Sequence, residues 1–314
     1  MFGYDILNKD DWRLFMKRRH LFISGGLLLT CFIIGSFLDL NISQAIFSKN
    51  NGFGIFMSAF STIPGYGLLS FLGGVLFALT LKNKEQKSWL RIILFVCAFI
   101  GLISGTYFSG DEIFSVNAYN KENLTYLGMI ICGVINLGIF ALGMWFAKFN
   151  KQKNMWLMIV LILLGVAFIS LVPGVTLLKN IFHRPRYRIA VYEGYVDFHN
   201  WWEPCKEYKT LMDTFTLTKE EFKSFPSGHG GASMLFAVLL SFLPLINQKL
   251  MKYQTPLFYV GFSWNLLTSF SRILVGAHFL SDVAMGSLLV LICYYIVNEI
   301  IVKKLLVVEE KEAH

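Results

Sequence analysis

Long apolar runs separated by short polar connections make up most of this chain. An α-helix needs about 20 apolar residues to cross the hydrocarbon core of a bilayer. Eight runs reach or approach that length: 21–38, 66–81, 90–108, 124–147, 155–178, 230–246, 257–276 and 282–301. The pattern predicts an all-α polytopic membrane protein with about eight transmembrane helices. The first run is long and lacks a small-residue cleavage pattern, so it reads as a retained span rather than a signal peptide.

Composition supports this class. The 314 residues are 55% hydrophobic and only 15% charged, whereas a soluble domain is about a quarter charged. The mean hydropathy is +0.56. The net charge of +8 takes its meaning from its placement. Lys9, Arg13, Lys17, Arg18 and Arg19 precede the first run, and Lys82, Lys84 and Lys87 lie between the second and third, with Arg91 just inside the third. Lys148, Lys151 and Lys153 follow the fourth, Lys249 and Lys252 the sixth, and Lys303 and Lys304 the eighth. Two of the alternate connections carry only Lys49 and Lys121. The positive-inside bias then predicts cytoplasmic termini, with 39–65, 109–123, 179–229 and 277–281 on the outer face. It points to a membrane partner and not to nucleic acid.

The chain divides into an amino-terminal transmembrane region over 1–150, a core over 151–302 and a charged cytoplasmic tail over 303–314. Segment 39–65, with an Asn-Gly turn at Asn51-Gly52, reads as an interfacial helix and turn. Loop 179–229 is the longest polar piece. Its Tyr187, Tyr192, Tyr195, Trp201 and Trp202 predict that it lies at the headgroup level. Cys31, Cys97, Cys132, Cys205 and Cys293 have no metal or disulfide spacing.

Three polar clusters stand at ends of apolar runs, all on the predicted outer face. The first is Lys179-Asn-Ile-Phe-His-Arg-Pro-Arg186, with Arg188 close behind. Arginine offers a planar fork for phosphate oxygens and lysine a mobile point charge, although snorkelling to headgroups would also place cations here. The second is Pro226-Ser-Gly-His229. Ser227 and the amides of a starting helix can face an anion, and His229 can donate a proton near neutral pH. An ordinary Ser-Gly helix start is the plainer reading. The third is Ser271-Arg272 with His278 and Asp282. Four residues apart, His278 and Asp282 share a helix face. The carboxylate can then orient the imidazole for attack on phosphorus, unless Asp282 merely caps a helix. Arg272 lies near the end of an apolar run, where a cation is costly. The shared face of the membrane makes the three ordinary readings jointly poor.

Other polar residues say less. Asn136 and Asn265 read as interhelical hydrogen-bonders. His183 and His199 have no evident partner in the sequence. Asp111, Glu112, Glu193 and Asp197 read as solvated loop charges. No magnesium or zinc signature is visible.

These residues resemble the type 2 phosphatidic acid phosphatase family, related to vanadium haloperoxidases and glucose-6-phosphatase. The family's first motif, Lys, six residues, Arg-Pro, is matched by Lys179 and Arg186, with Tyr187 in place of the proline. Pro226-Ser-Gly-His229 matches the second, and Ser271-Arg272, His278 and Asp282 match the third at the family spacing. The likeness covers roughly 155–301, with two helices more on the amino-terminal side than the family's usual core. It implies His278 as nucleophile, Asp282 as its orienting partner and His229 as general acid and then base. It also implies Lys179, Arg186, Ser227, Gly228 and Arg272 as phosphate ligands, with Arg184 able to add a contact, and no metal or cofactor.

The expected activity is metal-independent hydrolysis of a lipid phosphomonoester or diphosphate at the outer membrane face, through a phosphohistidine. Polyprenyl diphosphate, phosphatidylglycerol phosphate, phosphatidate and lipid A phosphates are the candidate substrates. The alternatives are a phosphotransferase, which passes the group to an acceptor hydroxyl, and a non-catalytic lipid carrier. The Asn-, Lys- and Phe-rich composition points to a bacterial inner or plasma membrane. The sequence names neither the lipid nor the oligomeric state.

Overall fold

Each predicted apolar run forms helix in the structure, a computed structural model that describes residues 18–82, 87–115, 121–149, 153–242, 244 and 252–312. Helices α1 (Arg18–Ile46), α2 (Gly52–Phe60), α3 (Ile63–Lys82), α4 (Ser88–Ser115) and α5 (Lys121–Phe149) form the amino-terminal part. Next come α6 (Lys153–Ile169), a π-helical stretch Ser170–Leu177 and α7 (Leu178–Phe182). The stretch contains Pro173, which has no N–H to give to an α-helical ladder. Helices α8 (Tyr208–Phe215), α9 (Gly228–Leu240), α10 (Gln254–Leu274) and α11 (Leu280–Glu312) complete the chain. No strand occurs among the described residues.

Among the described residues, six helical stretches are long and apolar enough to cross a membrane: Arg18–Ile46, Gly52–Lys82, Ser88–Gly110, Met129–Lys148, Val160–Phe182 and Leu280–Val297. The expected count of about eight falls to six by this measure. Helix α9 is only 13 residues long, and the end of run 230–246 lies partly outside the described residues. Helix α10 turns Asn265, Thr268, Ser269, Ser271 and Arg272 inward, which dilutes its apolar character. Both of these helices carry candidate site residues, so the site itself weakens the membrane signal. Segment 39–65 also divides differently from the expectation. Residues up to Ile46 continue α1, and α2 follows after a turn capped by Asn51, whose side chain accepts from the Gly54 amide at 3.0 Å.

Large apolar side chains cover the outside of the bundle. Phe37, Ile103 and Val134 are 78%, 65% and 68% exposed. Surfaces of this kind suit acyl chains rather than water. Inside, α9 is enclosed by α3, α10, α11 and the π-helical stretch, with Ala232, Met234, Leu235, Ala237 and Val238 buried. Close approach requires glycine. A Cβ on Gly286 would stand 2.1 Å from the Ser227 carbonyl oxygen, so α11 meets the start of α9 backbone to backbone, as small residues permit in membrane helices. Two buried asparagines tie helices together as expected. Asn136 accepts from Ser70 Oγ at 2.6 Å, and Asn265 Nδ2 donates to Ser233 and Ser287 hydroxyls at 2.9 Å each.

Helix α1 runs antiparallel to α11. Arg18 pairs with Glu299 at 2.8 Å at one end, and Asp39 Oδ1 accepts from the Ser281 amide at 3.0 Å near the other. Helices α1 and α3 thus pack directly on helices of the carboxy-terminal half. We expect Gly286→Ala to push α9 from α11, at a cost of about 1–3 kcal/mol for an overpacked contact. Gly26→Ala, at a position with nothing within 4 Å, should be silent. Thermal unfolding in detergent checks both, and a Gly286→Ala protein as stable as wild type would contradict the close approach.

Candidate active site

The three polar clusters converge at one end of the bundle. Helix α7 delivers Lys179 and ends at His183, which takes the left-handed conformation at φ 46° and lets the chain turn. The chain then passes through Arg184 and Arg186 and returns in the segment that ends at Ser227. Two backbone bonds hold this return in place. The Arg186 amide donates to the Glu221 carbonyl at 2.9 Å, and the Ser224 amide to the Arg184 carbonyl at 3.0 Å. Phe225-Pro226 is a cis peptide. Ser227 caps α9, with Oγ 3.3 Å from the Gly230 amide. The turn 275–279 between α10 and α11 supplies His278, with Gly276 at φ 66°.

His229 and His278 face each other, ring centroids 6.3 Å apart. Both are buried, at 2% and 1% exposure. Cations surround the pair. Lys179 and Arg272 lie within electrostatic range of His229, and Arg186 and Arg272 within that of His278. A Cβ on Gly228 would stand 3.6 Å from Lys179 Nζ, so the glycine keeps open the space beside the ammonium. The Gly228 and His229 amides belong to the first turn of α9, where a helix leaves its N–H groups without an intrahelical acceptor. The Ser227 amide differs, since it donates to the Asp282 carbonyl at 2.9 Å. Its hydroxyl is the group left to reach an anion.

The histidine–carboxylate contact is not the one expected from spacing. His278 precedes α11 instead of lying on it. Its Nδ1 is 2.7 Å from the Ser224 carbonyl oxygen and 3.7 Å from Asp282 Oδ2. A carbonyl can only accept, so Nδ1 carries the hydrogen and the lone pair of the neutral ring sits on Nε2. Asp282 acts on this geometry through Ser224. Its Oδ2 accepts from Ser224 Oγ at 2.5 Å and from the Phe279 amide at 2.8 Å. Its Oδ1 accepts from Arg184 at 2.6 Å. Asp282 Oδ2 thus serves Ser224 and the Phe279 amide at close range and the imidazole at a longer one.

Arg184 therefore has a different place from the phosphate contact expected of it. It is 1% exposed and donates to the His199 carbonyl, Ser281 Oγ, Asp282 and Asp39. Arg188 is likewise engaged, with both Glu221 carboxylate oxygens. On the other side of the site, His229 Nε2 lies 3.1 Å from the Ser58 carbonyl at the end of α2. By the same logic Nε2 carries hydrogen, which makes Nδ1 the basic nitrogen of the neutral ring.

Several expectations about loop 179–229 change. Tyr187 is buried at 5%, against Phe47 and Phe279, and Trp201 stacks on Phe225, so these rings serve internal packing. Tyr192 and Trp202 are exposed. His183 stacks on Tyr208 with centroids 3.7 Å apart. Burial, then the nearby Lys219, Lys223 and Lys209, hold His183 below the ordinary histidine value. Glu193 pairs with Lys49 at 2.9 Å. Cys205 is buried, which pushes its thiol up to about 11.

Fold and composition define an all-helical, multi-pass membrane protein with a buried imidazole pair inside a ring of cations. Residues 154–305, just under half of the chain, match the model of the PAP2 superfamily. No curated protein sequence and no solved structure gave a significant match to the chain.

Burial, reinforced by the positive Arg186 and Arg272 and opposed by Asp282, pushes His278 down to about 3. In the unfolded chain the same ring takes up a proton near its ordinary value of about 6.5. Between those values the unfolded state binds more protons, so stability falls as pH drops through that window. We expect the apparent Tm in detergent to decline from about pH 7 to about pH 4.5 and to decline less steeply in His278→Gln. Equal slopes in the two proteins would contradict a neutral, buried His278.

Proposed function

We propose that the protein is an integral-membrane lipid phosphate phosphatase that works through a phosphohistidine. The observation that carries this reading is the 2.7 Å contact between His278 Nδ1 and the Ser224 carbonyl. It leaves Nε2 as a nucleophile in a site lined by Lys179, Arg186 and Arg272. The match of 154–305 to the PAP2 superfamily model supports phosphatase-type chemistry, and the exposed apolar flanks of the helices support a substrate with acyl or prenyl chains.

The reaction proceeds in two steps. The lone pair on His278 Nε2 attacks phosphorus, and the bond to the lipid oxygen breaks. His229, protonated on Nδ1 once the anionic phosphate is bound, gives that proton to the leaving oxygen and becomes neutral. Water then attacks the phosphorus of the phosphohistidine, and His229 takes one of its protons. Inorganic phosphate leaves and His278 returns to its neutral form. Lys179, Arg186, Arg272, the Ser227 hydroxyl and the first amides of α9 hold the phosphoryl oxygens. These fixed charges compensate the charge that develops there and supply what a metal would otherwise provide. Asp282 keeps Ser224, and with it the imidazole, in place.

Orientation follows the charges. Arg18, Lys82, Arg91 and Lys148 stand at helix ends remote from the histidines, and the positive-inside bias puts that end in the cytoplasm. The site then opens on the outer face. Phosphomonoesters and diphosphates of lipids exposed there form the substrate class.

The test is phosphate release by purified protein in detergent from a panel of lipid phosphates with EDTA present. We expect wild-type turnover, loss of activity to background in His278→Ala, and a fall of about 10²–10⁴-fold in His229→Ala. Wild-type levels of release by His278→Ala would overturn the assignment. So would a correctly folded wild type that is inactive on every lipid phosphate.

A further inference from the structure

Asp39 lies far outside the matched region 154–305, on α1, yet it reaches the active centre. Its Oδ2 accepts from Arg184 Nη2 at 2.9 Å and from the Ser281 hydroxyl. Its Oδ1 accepts from the Ser281 amide at 3.0 Å. Asp39, Arg184 and Asp282 are 3%, 1% and 0% exposed. A guanidinium is thus shared between two buried carboxylates, one from the amino-terminal helix and one from the third polar cluster. Arg184 lies against the Phe279 ring, 4.1 Å from its centroid, and this fixes its plane.

The chain of contacts runs in one direction. Asp39 and Ser281 hold one side of Arg184. Arg184 holds Asp282 Oδ1, Asp282 Oδ2 holds the Ser224 hydroxyl, and the Ser224 carbonyl sets the His278 ring. The backbone of α1 is shaped for this contact. A Cβ on Gly35 would stand 2.5 Å from the Ser281 nitrogen and 2.9 Å from Asp39 Oδ1. Glycine at that position lets α1 come close enough for the carboxylate to reach the amide. A residue with only a packing role would need neither the charge nor the approach.

We propose that Asp39 is a positioning residue of the phosphoryl-transfer site, which acts on the attacking imidazole through Arg184, Asp282 and Ser224. On this account α1 is a working part of the catalytic centre. The proposal rests on the phosphatase reading above. Asp39 touches none of Lys179, Arg186 or Arg272, so its loss should leave phosphate binding intact and slow the chemical step.

The experiment compares Asp39→Asn, Ser281→Ala and Ser36→Ala with wild type, in steady state and in a single turnover quenched with base to preserve phosphohistidine. Ser36 is on the same helix but bonds to Trp201 at 2.9 Å, outside the chain of contacts. We expect kcat and the rate of phosphohistidine formation to fall about 10- to 100-fold in Asp39→Asn, as for a misplaced reacting group. KM should stay within about threefold, since uniform binding is untouched. Ser281→Ala should show the same kcat-only loss in milder form, and Ser36→Ala should match wild type. Ser281→Ala carries the test if Asp39→Asn does not accumulate, because it removes one hydroxyl. Wild-type kcat in folded Asp39→Asn or in Ser281→Ala, or a loss confined to KM or to the yield of folded protein, would overturn the proposal. An inactive wild type would overturn the phosphatase reading beneath it instead.

Discussion

Arg184 sits where three separate pieces of the chain must meet, and it has no access to water with which to share its charge. A guanidinium in that position is tolerable only if its donors find acceptors and its charge finds a partner. Asp39 from α1, Asp282 from α11 and the His199 carbonyl from the loop after α7 meet that demand together. Remove any of the three and a buried charge is left short. The positions of α1, the loop after α7 and the start of α11 are therefore linked by one electrostatic requirement, and the imidazole of His278 inherits its place from them.

The same economy governs the two facing histidines. His278 and His229 each give one ring nitrogen to a main-chain carbonyl, Ser224 and Ser58 respectively. A carbonyl fixes a tautomer without adding a charge, so each ring presents its other nitrogen in a defined state. Positive charge comes instead from Lys179, Arg186 and Arg272, the side chains proposed to hold the phosphoryl group. Separating orientation from charge in this way leaves His278 neutral among cations, as the proposed attack on phosphorus requires.

Much of this was readable from the chain. The long apolar runs announced helices, and Lys179, Arg186, Ser227, His229, Arg272, His278 and Asp282 stood out because their charge or polarity was costly at the ends of such runs. What stayed hidden has physical causes. Asp39 falls at the margin of the first run, where a carboxylate looks like an ordinary interfacial residue, and its partner Ser281 is 242 positions away. Ser224 and Ser58 act through backbone carbonyls, which every residue has, so no side-chain pattern marks them. The four-residue spacing of His278 and Asp282 suggested a shared helix face, but α11 begins only at Leu280, and the histidine found a carbonyl in the preceding loop. Helix α9 is short and α10 polar on its inner face, so a count by hydropathy and a count by helices diverge where the site is built.

The central claim is that a neutral His278 attacks phosphorus through Nε2. The most direct measurement is to mix the protein with a radiolabelled lipid phosphate, quench with base during turnover, and locate the label by peptide mapping and by the chemistry of the phosphoimidazole. The account predicts a base-stable, acid-labile phosphoryl group on Nε2 of His278. Label on Nδ1, label on another residue, or turnover with no trapped phosphoprotein under conditions that slow the second step would contradict it.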